Sequence, residues 1–184
     1  MAIRLIAAIF LTLLLTSCEW REIQRQNQLP QCVQEQSGLR VDVFPRLEQV
    51  ETNLLATVVM PDVSRQSYRM LLDSLYDAIL SGNPLPVSRE RLCQNVEDCS
   101  SLVRPDVNVA YPHCYREIAR EHDLPDSTGF WARQGEIWSD FFRGGNWRPD
   151  YILTSIDATP PDRFTTFEVR AFYTQHMLYL TERQ

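Results

Sequence analysis

The chain has 184 residues, 44% hydrophobic and 23% charged, proportions near globular averages that argue against wholesale disorder and against a multi-span membrane protein. Its formal charge is −6, and every basic residue is Arg, with no Lys anywhere. That balance excludes a general nucleic-acid binder, which needs net positive charge to displace counterions from phosphate.

Met1 to Arg4 is a short start with one positive charge, followed by an apolar run from Leu5 to Leu15 broken only by Thr12. The run is about half of the ~20 residues a helix needs to cross a hydrocarbon core, so it reads as the core of a secretory signal. The abruptly polar flank of Glu19, Arg21, Glu22, Gln24, Arg25 and Gln26 marks the start of a mature chain. Leu15-Thr16-Ser17-Cys18 resembles the lipobox of bacterial lipoproteins: an aliphatic residue, two small residues and a cysteine. The resemblance covers this signal region alone. It implies diacylglycerol on the Cys18 sulfur, cleavage before Cys18, and acylation of the new amino group by a palmitate-type chain. Several acyl chains anchor stably where one binds only marginally. Position 19 is Glu, and Asp there resembles an inner-membrane retention signal; its absence points to the outer membrane, facing the periplasm.

The expected organisation is a cleaved signal over 1–17, a lipidated polar tether over 18–37 and a single globular domain over 38–184. The tether is rich in Gln, Arg and Glu, carries Pro30 and shows no apolar period, with Cys32 as its fixed point. Gly38 to Phe44 alternates Leu39, Val41 and Val43 with Arg40 and Asp42, a half-buried strand ended by Pro45. Asn53 to Met60 is an apolar, β-branched run stopped by Pro61, which predicts a buried strand.

From Ser64 the period changes. Tyr68, Leu71, Leu72, Leu75, Ile79 and Leu80 line one helical face, closed by Gly82 and Pro84. A shorter helix is expected over Tyr111 to Glu121 with Pro112 in its first turn, and another over Asp126 to Phe142, stopped by Gly144 and Gly145. Tyr151 to Ile156 and Arg163 to Arg170 are β-branched or aromatic runs flanking Ala158 to Asp162, which predicts a hairpin; a helix starting at Thr159 with Pro160 in its first turn is the rival. The stretch ending at Leu180 fits strand or helix. The resulting fold class is α+β: a small antiparallel sheet with three or four helices, stabilised by disulfides.

Five cysteines are present, and assigning Cys18 to lipid leaves Cys32, Cys93, Cys99 and Cys114, an even number in an oxidising compartment. Four cysteines allow three connectivities. The stripe Leu92, Val96, Cys99, Val103 has helical spacing, and six residues of helix rise about 9 Å, beyond the roughly 7 Å Cα limit of a disulfide. A Cys93–Cys99 bridge therefore requires an irregular turn; that arrangement, with Cys32–Cys114 pinning the tether to the body, is favoured over the other two. Zinc fits poorly, because the cysteine spacing is too wide and oxidation competes with ligation. No metal or cofactor is expected.

The histidines His113, His122 and His176 lie in no recognisable hydrolase or nucleotide-binding pattern. His113 and Glu117 are four apart, a spacing that serves a metal, a base and its orienter, or most commonly an ordinary surface ion pair. Asp73 with Asp77, and Glu136 with Asp140, are carboxylates at helical spacing on polar faces, for which solvated charge is the default. Trp131, Trp138, Trp147 and Tyr151 form a candidate binding surface; the competing reading places these aromatics in the core.

An anchor, a tether and disulfides without a turnover motif lead to a non-enzymatic expectation: a membrane-attached module that binds or assembles another envelope protein. The alternatives are a periplasmic cell-wall glycan hydrolase using facing carboxylates, and a carrier of lipid or another small ligand in an apolar cavity.

Overall fold

In a computed structural model of the chain, the described residues are 28–39, 42–58, 62–121, 130, 133, 134, 136, 137 and 149–183. They form helices joined by short turns, with no strand among them: α1 (28–37), α2 (Val43–Thr57), α3 (Arg65–Ser81), α4 (Arg89–Leu92), α5 (Pro105–Glu121), α6 (helical at 130, 133, 134, 136 and 137), α7 (Pro149–Asp157) and α8 (Phe167–Leu180). Three 3-10 turns lie at Cys99–Val103, Arg163–Thr165 and Thr181–Arg183. The expected antiparallel sheet is thus replaced by an all-helical domain.

Each expected strand fails for a local reason. Asp42 is the N-cap of α2, its carboxylate accepting from Phe44 N at 3.2 Å. Pro45 therefore falls in the first turn of a helix, where its missing N–H costs nothing, instead of ending a strand. Of the segment 38–44, Val43 and Phe44 open that helix, while residues 40 and 41 lie outside the described set. Asn53 to Thr57 is the last turn of α2, and 59–61 are outside the described residues. The expected hairpin is α7 followed by the 3-10 turn Arg163–Thr165 and the start of α8; the rival helix from Thr159 is also absent, since 158–162 form turns.

The expected tether also changes. Residues 28–37 are helix, with Leu29 and Val33 fully buried one turn apart, so the C-terminal half of the 18–37 segment belongs to the body. Residues 18–27 and the signal segment 1–17 lie outside the described residues.

The amphipathic helices match their period. In α3, Tyr68, Leu71, Leu72 and Leu75 are buried, Ser64 caps the start by accepting from Ser67 N at 3.2 Å, and Gly82 closes the end at φ 65°. Leu80, expected on that face, is instead 76% exposed. α5 is longer than expected: Pro105 is its first residue and Pro112 sits inside it. Its buried Val107, Ala110, Tyr111, Cys114, Tyr115 and Ile118 make an unbroken apolar stripe.

At the centre lies α8, packed against α2, α3 and α5, with ten of its 14 residues buried. Burial on all sides forces the polar side chains on it to find partners among several neighbouring elements. Arg170 donates from Nε to Glu51 Oε1 (2.7 Å) and from Nη2 to Glu51 Oε2 (3.2 Å) on α2. Thr174 lies 3.3 Å from the Tyr68 hydroxyl of α3, which itself donates to Glu51. Gln175 Nε2 donates to Leu102 O at 2.9 Å, and His176 Nε2 is 2.6 Å from the Tyr76 hydroxyl. Tyr173 joins α7 and α6, its hydroxyl 3.0 Å from Ser155 Oγ and 2.7 Å from Thr159 Oγ1. Gln134 completes this set, donating to Ser155 O (2.9 Å) and Thr159 Oγ1 (3.2 Å) and accepting from Ser155 Oγ (2.5 Å).

Candidate functional site

Two disulfides brace the domain. Cys32 of α1 joins Cys114 of α5 with Cα atoms 5.8 Å apart, and Cys93 joins Cys99 at 5.7 Å. This is the combination favoured from the sequence. The short bridge is possible because the helical stripe through Leu92 and Val103 is interrupted: α4 stops at Leu92, and Asn95 and Asp98 take left-handed backbone, at φ 61° and 48°. Side chains of α2 hold that turn: Asn53 Nδ2 donates to Leu92 O (2.9 Å) and Gln94 O (2.7 Å), and Arg46 Nη1 to Glu97 O (2.6 Å).

The long bridge positions a cleft of about 470 Å³ between the C-terminal end of α1 and the N-terminal half of α5. Glu35, Gln36, Ser37 and Gly38 form one wall; Asp106, Val109, Ala110 and His113 form the other. Gly38 ends α1 at φ 62°, a conformation that suits a residue without Cβ, and the amide of Gln34 closes the turn by donating to Leu39 O. Pro105 starts α5 and brings Asp106 into its first turn. Cys32 to Cys114 then fixes α1 against α5 one helical turn from Val109 and Ala110.

The cleft is mixed, with somewhat more apolar than polar surface, and carries two acidic residues, Glu35 and Asp106, beside His113. Glu35 accepts from Gln31 Nε2 at 2.9 Å on the same helix, and Asp106 accepts from Arg104 Nη2 at 2.5 Å. The carbonyl end of α1 adds negative partial charge to one wall, and the N-terminal turn of α5 adds positive partial charge to the other. Val109 is 48% exposed in the midst of these groups, one of few large apolar side chains so placed. His113 does approach Glu117 at i,i+4 spacing, with Nδ1 3.7 Å from Oε2, too long for a hydrogen bond, and Nδ1 itself is enclosed without a hydrogen-bond partner among the described residues. No group of three His, Cys, Asp or Glu side chains among the described residues converges as a metal shell.

Asp73 is engaged by Arg69, and Asp77 of the same pair faces solvent. Glu136 lies 3.5 Å from Arg133, while Asp140 is outside the described residues. Of the candidate aromatic surface, Tyr151 is partly buried on α7, whereas Trp131, Trp138 and Trp147 lie outside the described residues, as does the lipidation candidate Cys18. His176 is a core residue. No helix among the described residues is long and apolar enough to cross a membrane.

Glu35, Asp106 and Val109 went unremarked in the sequence, and Gly38 was read only as the start of a strand. Asp106 after Pro105 carried a helix-start signal, but nothing local pairs it with Glu35, 71 positions earlier. No family model, curated protein or solved structure matches the chain.

Proposed function

We propose that the chain is a lipid-anchored lipoprotein of the bacterial envelope, held at the outer membrane by Cys18, whose disulfide-braced helical domain binds or assembles another envelope protein. One observation carries the reading: Cys32, Cys93, Cys99 and Cys114 are consumed in two disulfides, so of five cysteines only the one in the lipobox-like segment remains for lipid. Disulfides persist in oxidising compartments, which agrees with an exported chain. The buried polar side chains of the domain are spent largely on one another around α8, which favours a packed scaffold over a turnover site, and the α1/α5 cleft offers a concave surface for a partner. That cleft is open to solvent, unlike the enclosed cavity a lipid carrier needs.

The test is intact mass spectrometry of membrane-extracted protein, with and without reduction, beside Cys18→Ser. The expected species begins at Cys18 with added acyl mass and gains two hydrogens for each disulfide on reduction. An unlipidated or uncleaved chain would overturn the anchor, and free thiols in the native protein would overturn the oxidised state.

A further inference from the structure

We infer that this chain is a client of an envelope thiol–disulfide isomerase, because its two disulfides are nested while its cysteines reach the oxidising compartment in an order that favours the wrong pairs. The inference rests on the exported-chain reading above and adds a partner to it. The long bridge joins the first cysteine of the set to the last, Cys32 to Cys114, and the short one joins the two between, Cys93 to Cys99. A chain exported amino end first presents Cys32, then Cys93, Cys99 and Cys114. A disulfide-carrying oxidant captures Cys32 as a mixed disulfide, and the first thiol to follow, Cys93, resolves it and leaves the oxidant as a dithiol. Cys99 is then left to Cys114. In a fully emerged chain, loop closure would favour the 6-residue Cys93–Cys99 loop over the 61-residue Cys32–Cys93 loop by about 30-fold. Sequential emergence removes that choice, since Cys32 and Cys93 are together before Cys99 arrives.

No native packing is present at that moment to correct the pairing. The centre of the core, α8, is the last α-helix of the chain, and Leu29 and Val33 of α1 belong to the same buried cluster as its Val169, Phe172 and Leu178. The turn carrying Cys93 and Cys99 is held by Arg46 and Asn53 of α2, which itself packs on α8. Rearrangement then needs only a catalytic thiolate. The isomerase thiolate attacks Cys93 Sγ and displaces Cys32 as a thiolate; Cys32 attacks Cys114 Sγ, forming the long bridge and releasing Cys99. Cys99 finally attacks Cys93 Sγ, forming the short bridge and returning the isomerase thiolate. Two disulfides enter and two leave, so the cycle consumes neither oxidant nor reductant. Folding closes it, because Cys114 of one bridge and Cys99 of the other become buried and out of reach of further exchange.

The test expresses the full precursor in bacteria with and without their envelope disulfide isomerase, blocks free thiols, and maps the disulfides by mass spectrometry of non-reduced peptides. Without the isomerase, Cys32–Cys93 and Cys99–Cys114 peptides are expected, with a native share of about one third or less, since four cysteines allow three connectivities. With it, native pairing is expected to be nearly complete, and an isomerase variant lacking its resolving cysteine should be trapped on the chain as a mixed disulfide. Cys93→Ala/Cys99→Ala leaves Cys32 only Cys114 to pair with, so its yield, whatever the lost bridge costs in stability, should be equal in the two strains. Unchanged native pairing in the absence of the isomerase, or equal dependence of the double variant on it, would overturn the proposal and leave the exported reading standing. Free thiols at all four positions in cells that hold the isomerase would overturn the exported reading, and the proposal with it.

Discussion

The hydroxyls of Tyr111 and Tyr173 are both fully buried, yet their surroundings are opposite. Tyr173 sits between Ser155 Oγ and Thr159 Oγ1, whereas Tyr111 OH has no hydrogen-bond partner and is packed against the rings of Phe44 and Phe172. Removing a desolvated, unbonded hydroxyl is neutral or favourable, while removing one member of a satisfied buried network strands the others. Tyr111→Phe is therefore expected to leave stability unchanged or raise it by about 1 kcal/mol, and Tyr173→Phe to lower it by about 1–2 kcal/mol, read from urea midpoints. The same burial controls ionisation. Desolvation pushes Tyr68, Tyr111 and Tyr115 upward, Tyr68 also feeling Glu51, and lifts Tyr173 to about 12 against the opposing bonds from Ser155 and Thr159. A raised folded-state value stabilises fully below the ordinary value near 10 and is lost as pH climbs through the folded one. Ultraviolet titration should find four of the seven tyrosines silent near pH 10, ionising only at higher pH together with loss of helical circular dichroism; full titration near 10 in the native state would contradict this burial.

Helix α8 explains why the domain holds one arrangement. A helix apolar on one stripe can rotate or slide, but Arg170, Tyr173, Thr174, Gln175 and His176 point to four different neighbours, and any rotation unpairs several at once. The Arg170–Glu51 pair is the test of this scheme: their side chains are 12% and 7% exposed, and Arg170 also donates to Phe164 O and Thr165 O, tying α8 to the turn before it. Breaking a buried pair leaves an uncompensated charge, whereas replacing both members by apolar groups need not. Arg170→Met is expected to cost about 3 kcal/mol, the lower end of the range for buried pairs because the guanidinium reaches the domain edge, and Glu51→Leu/Arg170→Met to recover most of it. A double variant as weak as the single one would show that the pair stabilises outright.

The two disulfides act at different ranges in the whole molecule. Cys32–Cys114 spans 82 residues and Cys93–Cys99 spans 6, so chain entropy assigns them about 4.5 and about 2 kcal/mol, and the Ala double variant of the long bridge should lose about twice as much stability as that of the short one. The long bridge also secures α1, whose Leu29 and Val33 enter the core, and its loss should expose that helix first, as faster amide exchange over 28–37. Sequence alone determined whatever is encoded at short range or by counting. The α3 stripe with its start at Ser64 and its stop at Gly82, the even set of four cysteines and the resemblance of Leu15 to Cys18 to a lipobox are of this kind, whereas which cysteines pair was favoured in the sequence and decided by the fold. The tertiary structure decided the rest. Phe167 to Leu180 is buried all round and so has no polar face to give a 3.6-residue period, which left most of it fitting strand or helix alike and drew its first residues into an expected strand. Residues 28–37 present only Leu29, Val33 and a half-buried Cys32 to the core, too few for a period, and are helical because α5 lies beside them to receive the disulfide. The cleft exists only where those two helices meet, since neither Glu35 nor Asp106 carries any sign of the other until the fold brings them to one space.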